Sequence, residues 1–243
     1  MKWQQYKKPH YSMYSHLVPM TIIQLNLKAL QNELEGSDGV QIVAVSKYYT
    51  AEHIAQAYEL GQRAFGESYV HEMCKKHDML PQDIEWHFIG HLQTNKVKYI
   101  APFVKLIHSV DSMHLLKEID RQACKLERTI DCLMEVHIAK ESTKFGFTPP
   151  ELVQALEERK WQDMKGVRIV GLMCMASFTD NELQIRDEFH AVKQLMDTVK
   201  HSIFNDSPHF CQLSMGMSHD YKIAIEEGST LFRIGTKIVG PRF

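Results

Sequence analysis

Short apolar runs alternate with longer amphipathic stretches from about residue 20 to the end of this chain. Runs that are apolar on both alternating faces predict strands covered on each side, and apolar residues three and four apart predict helices. Ile22, Leu25, Leu30 and Leu34 share a face and predict a helix over 21–35. A first strand follows at 40–49 (VQIVAVSKYY), apolar and mostly β-branched. The pattern then gives helix 51–60, strand 63–66, helix 69–77, strand 85–90, and helix 94–103 interrupted late by Pro102. Strand 106–110, helix 114–127, strand 131–138, helix 150–159 and strand 167–175 come next. Helix 181–202, strand 209–213, helix 220–227 and strand 231–234 complete the series.

Eight strands, each followed by a helix or by room for one, predict an α/β fold, a single (β/α)8 TIM barrel with an extra N-terminal helix. An open doubly wound sheet is the alternative, but no Gly-rich fingerprint follows the first strand. Residues 1–19 (MKWQQYKKPHYSMYSHLVP) are aromatic, basic and polar and lack a signal peptide's apolar core. They read as a loosely attached extension before one barrel domain over 20–243.

Composition narrows the function classes. Net charge is −2, from 28 basic and 30 acidic residues without long charged blocks, so nucleic-acid binding has no electrostatic support. The five cysteines, Cys74, Cys124, Cys132, Cys174 and Cys211, form no C-x-x-C pair. A reduced cytoplasmic protein without a structural zinc fits that usage. No apolar run approaches the ~18 residues of a membrane span.

The candidate chemistry centres on Lys47, near the end of the first strand and in phase with Val43 and Val45. Alone, the segment reads as a lysine snorkelling out of a strand end. In a barrel it occupies the face where sites are built. Desolvation there would lower its pKa and make the amine nucleophilic toward a carbonyl, and reaching about 7–8 costs roughly 3–5 kcal/mol. Ser214–Ser218 (SMGMS) and Arg233–Thr236 (RIGT) belong to adjacent strands and offer hydroxyls and backbone N–H groups. Gly216 and Gly235 would allow close approach. The loops after strands seven and eight are the recurrent phosphate site of this architecture, with an ordinary Gly/Ser turn as the alternative. His87 and His91 have a metal-like spacing, but they flank a strand-like run, so His87 reads as a barrel-lining residue and no metal is expected. Glu67 and Glu135 read as structural hydrogen-bonding groups rather than an acid/base pair. Met173, Met175, Met215 and Met217 read as packing around the barrel mouth, and Cys174 and Cys211 as packing residues.

These features lie in stretches that resemble the pyridoxal phosphate homeostasis proteins, a family similar to the N-terminal domain of alanine racemase. The stretches are AVSK (44–47), GQRAFGESYVHE (61–72), EWHFIGHLQTNK (85–96), KFG (144–146), GLM (171–173), SMGMSHD (214–220) and GSTLFRIGTKIVG (228–240). The resemblance implies a fold-type III barrel carrying pyridoxal 5′-phosphate (PLP) as an internal aldimine on Lys47. It implies phosphate contacts from Ser214, Gly235 and Thr236, and Arg233 at the pyridine nitrogen. With His87, Met215 and Ser218 these residues make the expected cofactor-binding set, with no catalytic residue assigned. Ser68 and His137 depart from the family pattern, each standing where asparagine is usual.

The function implied is intracellular PLP homeostasis by a carrier or regulator, monomeric or weakly dimeric, with PLP-dependent apo-enzymes as candidate recipients. Arg233 is a donor only and would favour an unprotonated ring nitrogen, weakening the electron sink. The resembling racemases add a β-rich domain, for which only three residues remain after Gly240. A slow amino-acid racemase or class I aldolase using Lys47 is the enzymatic alternative. A non-catalytic interaction protein with a vestigial lysine is the third reading.

Overall fold

The computed structural model describes residues 20–34, 36, 39–139 and 145–240; the extension 1–19 and Lys144 of the KFG stretch lie outside them. Among the described residues the order begins α1 (Ile22–Glu33), β1 (Gln41–Val45), α2 (Ala51–Glu59), β2 (Ala64–Glu67) and α3 (Val70–Met79). It continues with β3 (Glu85–Phe88), a 3₁₀ turn (Thr94–Lys96) leading into α4 (Val97–Ile100), β4 (Leu106–Val110), α5 (Met113–Cys124) and β5 (Ile130–Val136). Next come α6 (Pro149–Glu157), a second 3₁₀ turn (Lys160–Asp163), β6 (Val167–Cys174) and α7 (Glu182–Ser202). The last elements are β7 (Gln212–Met217), α8 (Tyr221–Glu226), β8 (Leu231–Ile234) and α9 (Thr236–Val239). The strands are parallel and close in sequence order; β8 returns to β1 with Val43 opposite Arg233 and Ala44 opposite Ile234. The predicted barrel and its preceding helix are both present.

Local chemistry fixes the helix ends. Thr21 and Gln24 form a reciprocal capping box at α1, whose buried stripe is Ile23, Leu27 and Leu30. Thr148 and Glu151 do the same for α6, which carries proline in its first turn, where a missing N–H costs nothing.

Two apolar layers result. The outer one, between strands and helices, contains the large side chains Trp86, Phe88, Phe189 and Phe232, all fully buried. The inner one fills the barrel with Val43, Ala64, Leu106, Leu133, Val170, Met173 and Leu231. Period-two alternation sends neighbouring residues to opposite layers, as with Val43 inside and Ala44 outside.

Several elements differ from the sequence pattern. β1 ends at Val45 rather than at 49, because Tyr48 takes a left-handed turn conformation, so Lys47 follows the strand instead of closing it. The seventh strand spans Gln212–Met217 rather than 209–213, because the SMGM residues pair with β8 despite their turn-like composition. The pairing slips between Ser214 and Met217, and Gly216 there has φ +89. A Cβ on Gly216 would lie 2.7 Å from the Cβ of Ala224. The close approach it permits is therefore that of α8, not of a ligand. The helix expected over 94–103 shrinks to a 3₁₀ turn and one α-turn ending at Ile100; Ala101 keeps helical backbone, but Pro102 has no N–H to donate the next helical bond. α9 has only four residues, too few to leave an amphipathic signature. Among the described residues no helix is long and apolar enough to cross a membrane.

Candidate functional site

The upper half of the barrel interior is polar where the lower half is apolar. Lys47 lies two residues beyond β1, half-buried and in phase with the inward Val43 and Val45. The neighbouring inward row, on β8, runs from Leu231 to Arg233 and reaches Gly235 just past the strand. Arg233 is 5% exposed. Its Nη1 donates to the carbonyl of Ser214 at 2.9 Å and to Ser214 Oγ at 2.6 Å, and its Nη2 donates to the Cys174 carbonyl at 2.8 Å. A guanidinium has five N–H donors, so two remain beyond these three bonds.

A chain of neutral groups backs this arginine. His108 Nδ1 lies 2.9 Å from Ser214 Oγ, and its Nε2 lies 2.9 Å from Nδ1 of His87. Burial holds both imidazoles neutral: His87 is pushed down to about 3, and His108 falls well below its ordinary value, with His87 and Arg233 adding to the shift. Arg233 occupies one lone pair of Ser214 Oγ, and with no other acceptor for the hydroxyl proton among the described residues, the assignment that satisfies it has Ser214 donating to His108 Nδ1. His108 then donates from Nε2 to His87, whose own proton sits on Nε2. These neutral groups orient Arg233 without cancelling its charge.

Acidic groups face it from the other wall. Glu135, on the inward row of β5 above Leu133, is 4% exposed, and its carboxyl makes no hydrogen bond among the described residues. Burial and then the Asp111 carboxylate push its pKa up to about 7, against the pull of Arg233. Asp111 in turn pairs with His91 Nδ1 at 3.0 Å.

At the rim, Ser218 Oγ accepts the Gly235 N–H at 3.2 Å, and Thr236 opens α9, where the Thr236 and Lys237 N–H groups have no acceptor among the described residues. A Cβ on Gly235 would make only ordinary contacts, 3.4 Å from Val45 at the end of β1. Gly235 thus packs against the end of the strand that leads to Lys47.

The structure gathers Lys47, His87, Ser214, Ser218, Arg233, Gly235 and Thr236 into the upper barrel, but at two depths. Ser214 is fully buried and committed to Arg233 and His108, because the longer β7 draws it into the wall; Ser218 is the hydroxyl that reaches the rim. Met215 is displaced from the expected set: its side chain points outward into the shell between strands and helices, one step out of phase with Ser214. Of the other methionines, Met173 and Met175 pack in the inner layer. Ser68 lies outside the mouth, in a cavity of about 620 Å³ that it shares with Tyr69, His71, His91, Gln93 and Lys96. His108 escaped the sequence reading although the alternation in LIHSV places it in phase with the inward Leu106. Of the two glutamates read as hydrogen-bonding groups, Glu67 is one, accepting from Ser46 and Lys76, while the Glu135 carboxyl is not.

Comparison with known proteins bears on this site. The family model described as alanine racemase, N-terminal domain, matches residues 20–242. The chain is 39% identical over 216 residues to a pyridoxal phosphate homeostasis protein of Aquifex aeolicus, covering 88% of this chain and 92% of that one. It is 34% identical over 229 residues to the Schizosaccharomyces pombe protein of the same name, covering 92% and 94%. PipY of Synechococcus elongatus, solved with PLP bound, superposes with a TM-score of 0.81 at 33% identity, over 90% of this chain and all of PipY. A D-threonine aldolase from Filomicrobium marinum, at 13% identity and a TM-score of 0.72, shares the fold alone; the match covers 90% of this chain and 60% of the aldolase. This chain belongs to the pyridoxal phosphate homeostasis proteins, built on the alanine racemase N-terminal-domain barrel.

Proposed function

We propose that this protein binds PLP in the barrel mouth and takes part in intracellular PLP homeostasis. The observation that carries the reading is the adjacency of two strand ends. β1, which leads into Lys47, is hydrogen-bonded to β8, which bears Arg233 and leads into Gly235 and Thr236. The residues present fit the group: a cationic floor with two further donors, a rim glycine packed against the end of β1, and a hydroxyl with the Thr236 and Lys237 N–H groups for a phosphate.

In this reading Ser218, Gly235 and Thr236 hold the phosphate, and Arg233, braced by Ser214, His108 and His87, meets the ring nitrogen. Lys47 supplies the amine. PLP, when bound, contributes an aldehyde that a lysine captures and a ring able to accept electron density. Arg233 keeps its protons, so the ring nitrogen it faces stays an acceptor, and holding the cofactor is favoured over turnover. No residue is assigned to catalysis. The protein acts in the cytoplasm as a monomer or weak dimer, with PLP-dependent apo-enzymes as recipients of the cofactor.

The test is a visible spectrum after mixing with PLP and desalting. Wild type should retain the yellow absorbance, and Lys47→Ala should lose it while keeping the far-ultraviolet signature of the barrel. Pyridoxal without phosphate should bind more weakly by about 3–6 kcal/mol if two charged hydrogen bonds are lost. A colourless wild type, or equal affinities for the two forms, would contradict the reading.

A further inference from the structure

Directly behind Lys47, outside the barrel wall, lies a cluster of buried charge that the cofactor reading leaves unused. Lys76 of α3 is 5% exposed and Glu67 of β2 is fully buried. The ammonium of Lys76 donates to Glu67 Oε1, to Glu72 Oε1 and to the backbone carbonyl of Ser46, each at 2.7 Å. Those three bonds use every proton it has. Buried ion pairs contribute little net stability, because desolvation opposes their attraction, so the placement of this one calls for another explanation.

Its contacts supply one. Ser46 is held three times: its N–H donates to the Gly66 carbonyl at 2.9 Å, its hydroxyl to Glu67 Oε1 at 2.5 Å, and its carbonyl accepts from Lys76. On the other side of Lys47, the Tyr48 N–H donates to Glu72 Oε1 at 2.7 Å. Tyr48 has φ +70, a left-handed conformation that a bulky residue adopts only when its surroundings impose it. The same three charged side chains therefore fix the residue before Lys47 and the residue after it.

We propose that Glu67, Lys76 and Glu72 are positioning residues for Lys47, clamping the backbone on both sides so that its amine is aimed into the barrel mouth. The GQRAFGESYVHE stretch gains a role: its glutamates 67 and 72 belong to the clamp rather than to the cofactor cup. In the bond-forming step the neutral Lys47 nitrogen bonds to an aldehyde carbon, and the aldehyde oxygen leaves as water with both amine protons. That step depends on aim, and displacements of about 1 Å reduce such rates up to a hundredfold. Binding of a ring and phosphate without an aldehyde does not depend on where the lysine points.

The inference rests on the PLP reading, and two ligands separate the failures. Glu72→Ala removes the acceptor of the Tyr48 N–H from a partly exposed position; Lys76→Met removes the hub, and Lys76→Arg retains its charge. Each full-length variant is mixed with PLP and trapped with borohydride over time, and its affinity for pyridoxine 5′-phosphate, which has no aldehyde, is measured. The expected result for Glu72→Ala is trapping at Lys47 slowed between about tenfold and a hundredfold, with unchanged pyridoxine 5′-phosphate affinity. Lys76→Met should behave alike, with partial recovery in Lys76→Arg. Unchanged trapping, or equal losses for both ligands, would overturn the clamp. A wild type that binds neither ligand would bring down the PLP reading and the clamp with it.

Discussion

Two groups of buried polar residues lie on opposite sides of the barrel wall and are partnered differently. Outside, Lys76 is saturated by Glu67, Glu72 and the Ser46 carbonyl, while the second carboxylate oxygen of Glu67, Oε2, is buried without a hydrogen-bond partner among the described residues. Inside, Glu135 lacks a hydrogen bond among the described residues, two histidines are held neutral, and Arg233 keeps donors in reserve. The closed set stabilises one backbone arrangement. The open set leaves bonding capacity on the inward face of the barrel, where something can enter from the mouth; that facing separates site from scaffold, since both sets are buried and the outer one also holds an unpaired oxygen, Glu67 Oε2.

The comparison breaks most severely if the closed set is opened. Lys76→Met leaves Glu67 buried without its counter-charge and should remove about 3–5 kcal/mol of stability, read from denaturant midpoints. A loss below about 1 kcal/mol would place the cluster with ordinary surface pairs.

The open set should respond in the opposite direction. Glu135 rises from an ordinary 4.5 to about 7 in the fold, so the fold favours its protonated form. That contribution is complete below the unfolded value and is lost as pH climbs through 7. At about 1.36 kcal/mol per pH unit, burying the charged form at pH 8 costs up to about 3 kcal/mol. Glu135→Gln should therefore stabilise the protein at pH 8 by about 1–3 kcal/mol and change little at pH 4. Equal effects at both values would mean that the carboxyl titrates normally.

Ser218→Ala sharpens the contrast between the two serines. It should weaken PLP retention about tenfold, the loss of one charge-assisted bond of about 1.5 kcal/mol, with stability shifted by less than about 0.5 kcal/mol. Ser214→Ala, deeper in the wall, should lower stability as well, by about 1–3 kcal/mol. The smallest effect belongs to the outer surface: Arg121→Ala, which breaks the exposed pair with Glu118 on α5, should alter stability by no more than about 0.5 kcal/mol and leave the PLP spectrum unchanged.

How far the sequence could be read follows from what each signal reports. Alternation of apolar runs is a direct trace of burial, so the eight strands, the extra helix and the inward phase of Lys47 were all legible. The register of β7 was not, because SMGMS has the composition of a turn and becomes strand only through pairing with β8. That slip explains why Ser214 was placed at the rim and Met215 in the cup. The Glu67–Lys76–Glu72 cluster was illegible for a different reason. Glu72 and Lys76 have the spacing of ordinary solvated helix charges and Glu67 ends a strand, and only the fold brings the three against Ser46 and Tyr48. Glu135 was visible as a residue, but the absence of a hydrogen-bond partner for its carboxyl among the described residues is a fact of three dimensions.

The central claim is that the inner cup holds PLP through Lys47. The most direct measurement is borohydride reduction of the PLP-loaded protein, digestion, and mass spectrometry of the peptides. The account predicts the phosphopyridoxyl mass on the peptide containing Lys47, and its absence from Lys47→Ala. The same mass only on other lysines, with Lys47 unmodified, would contradict it.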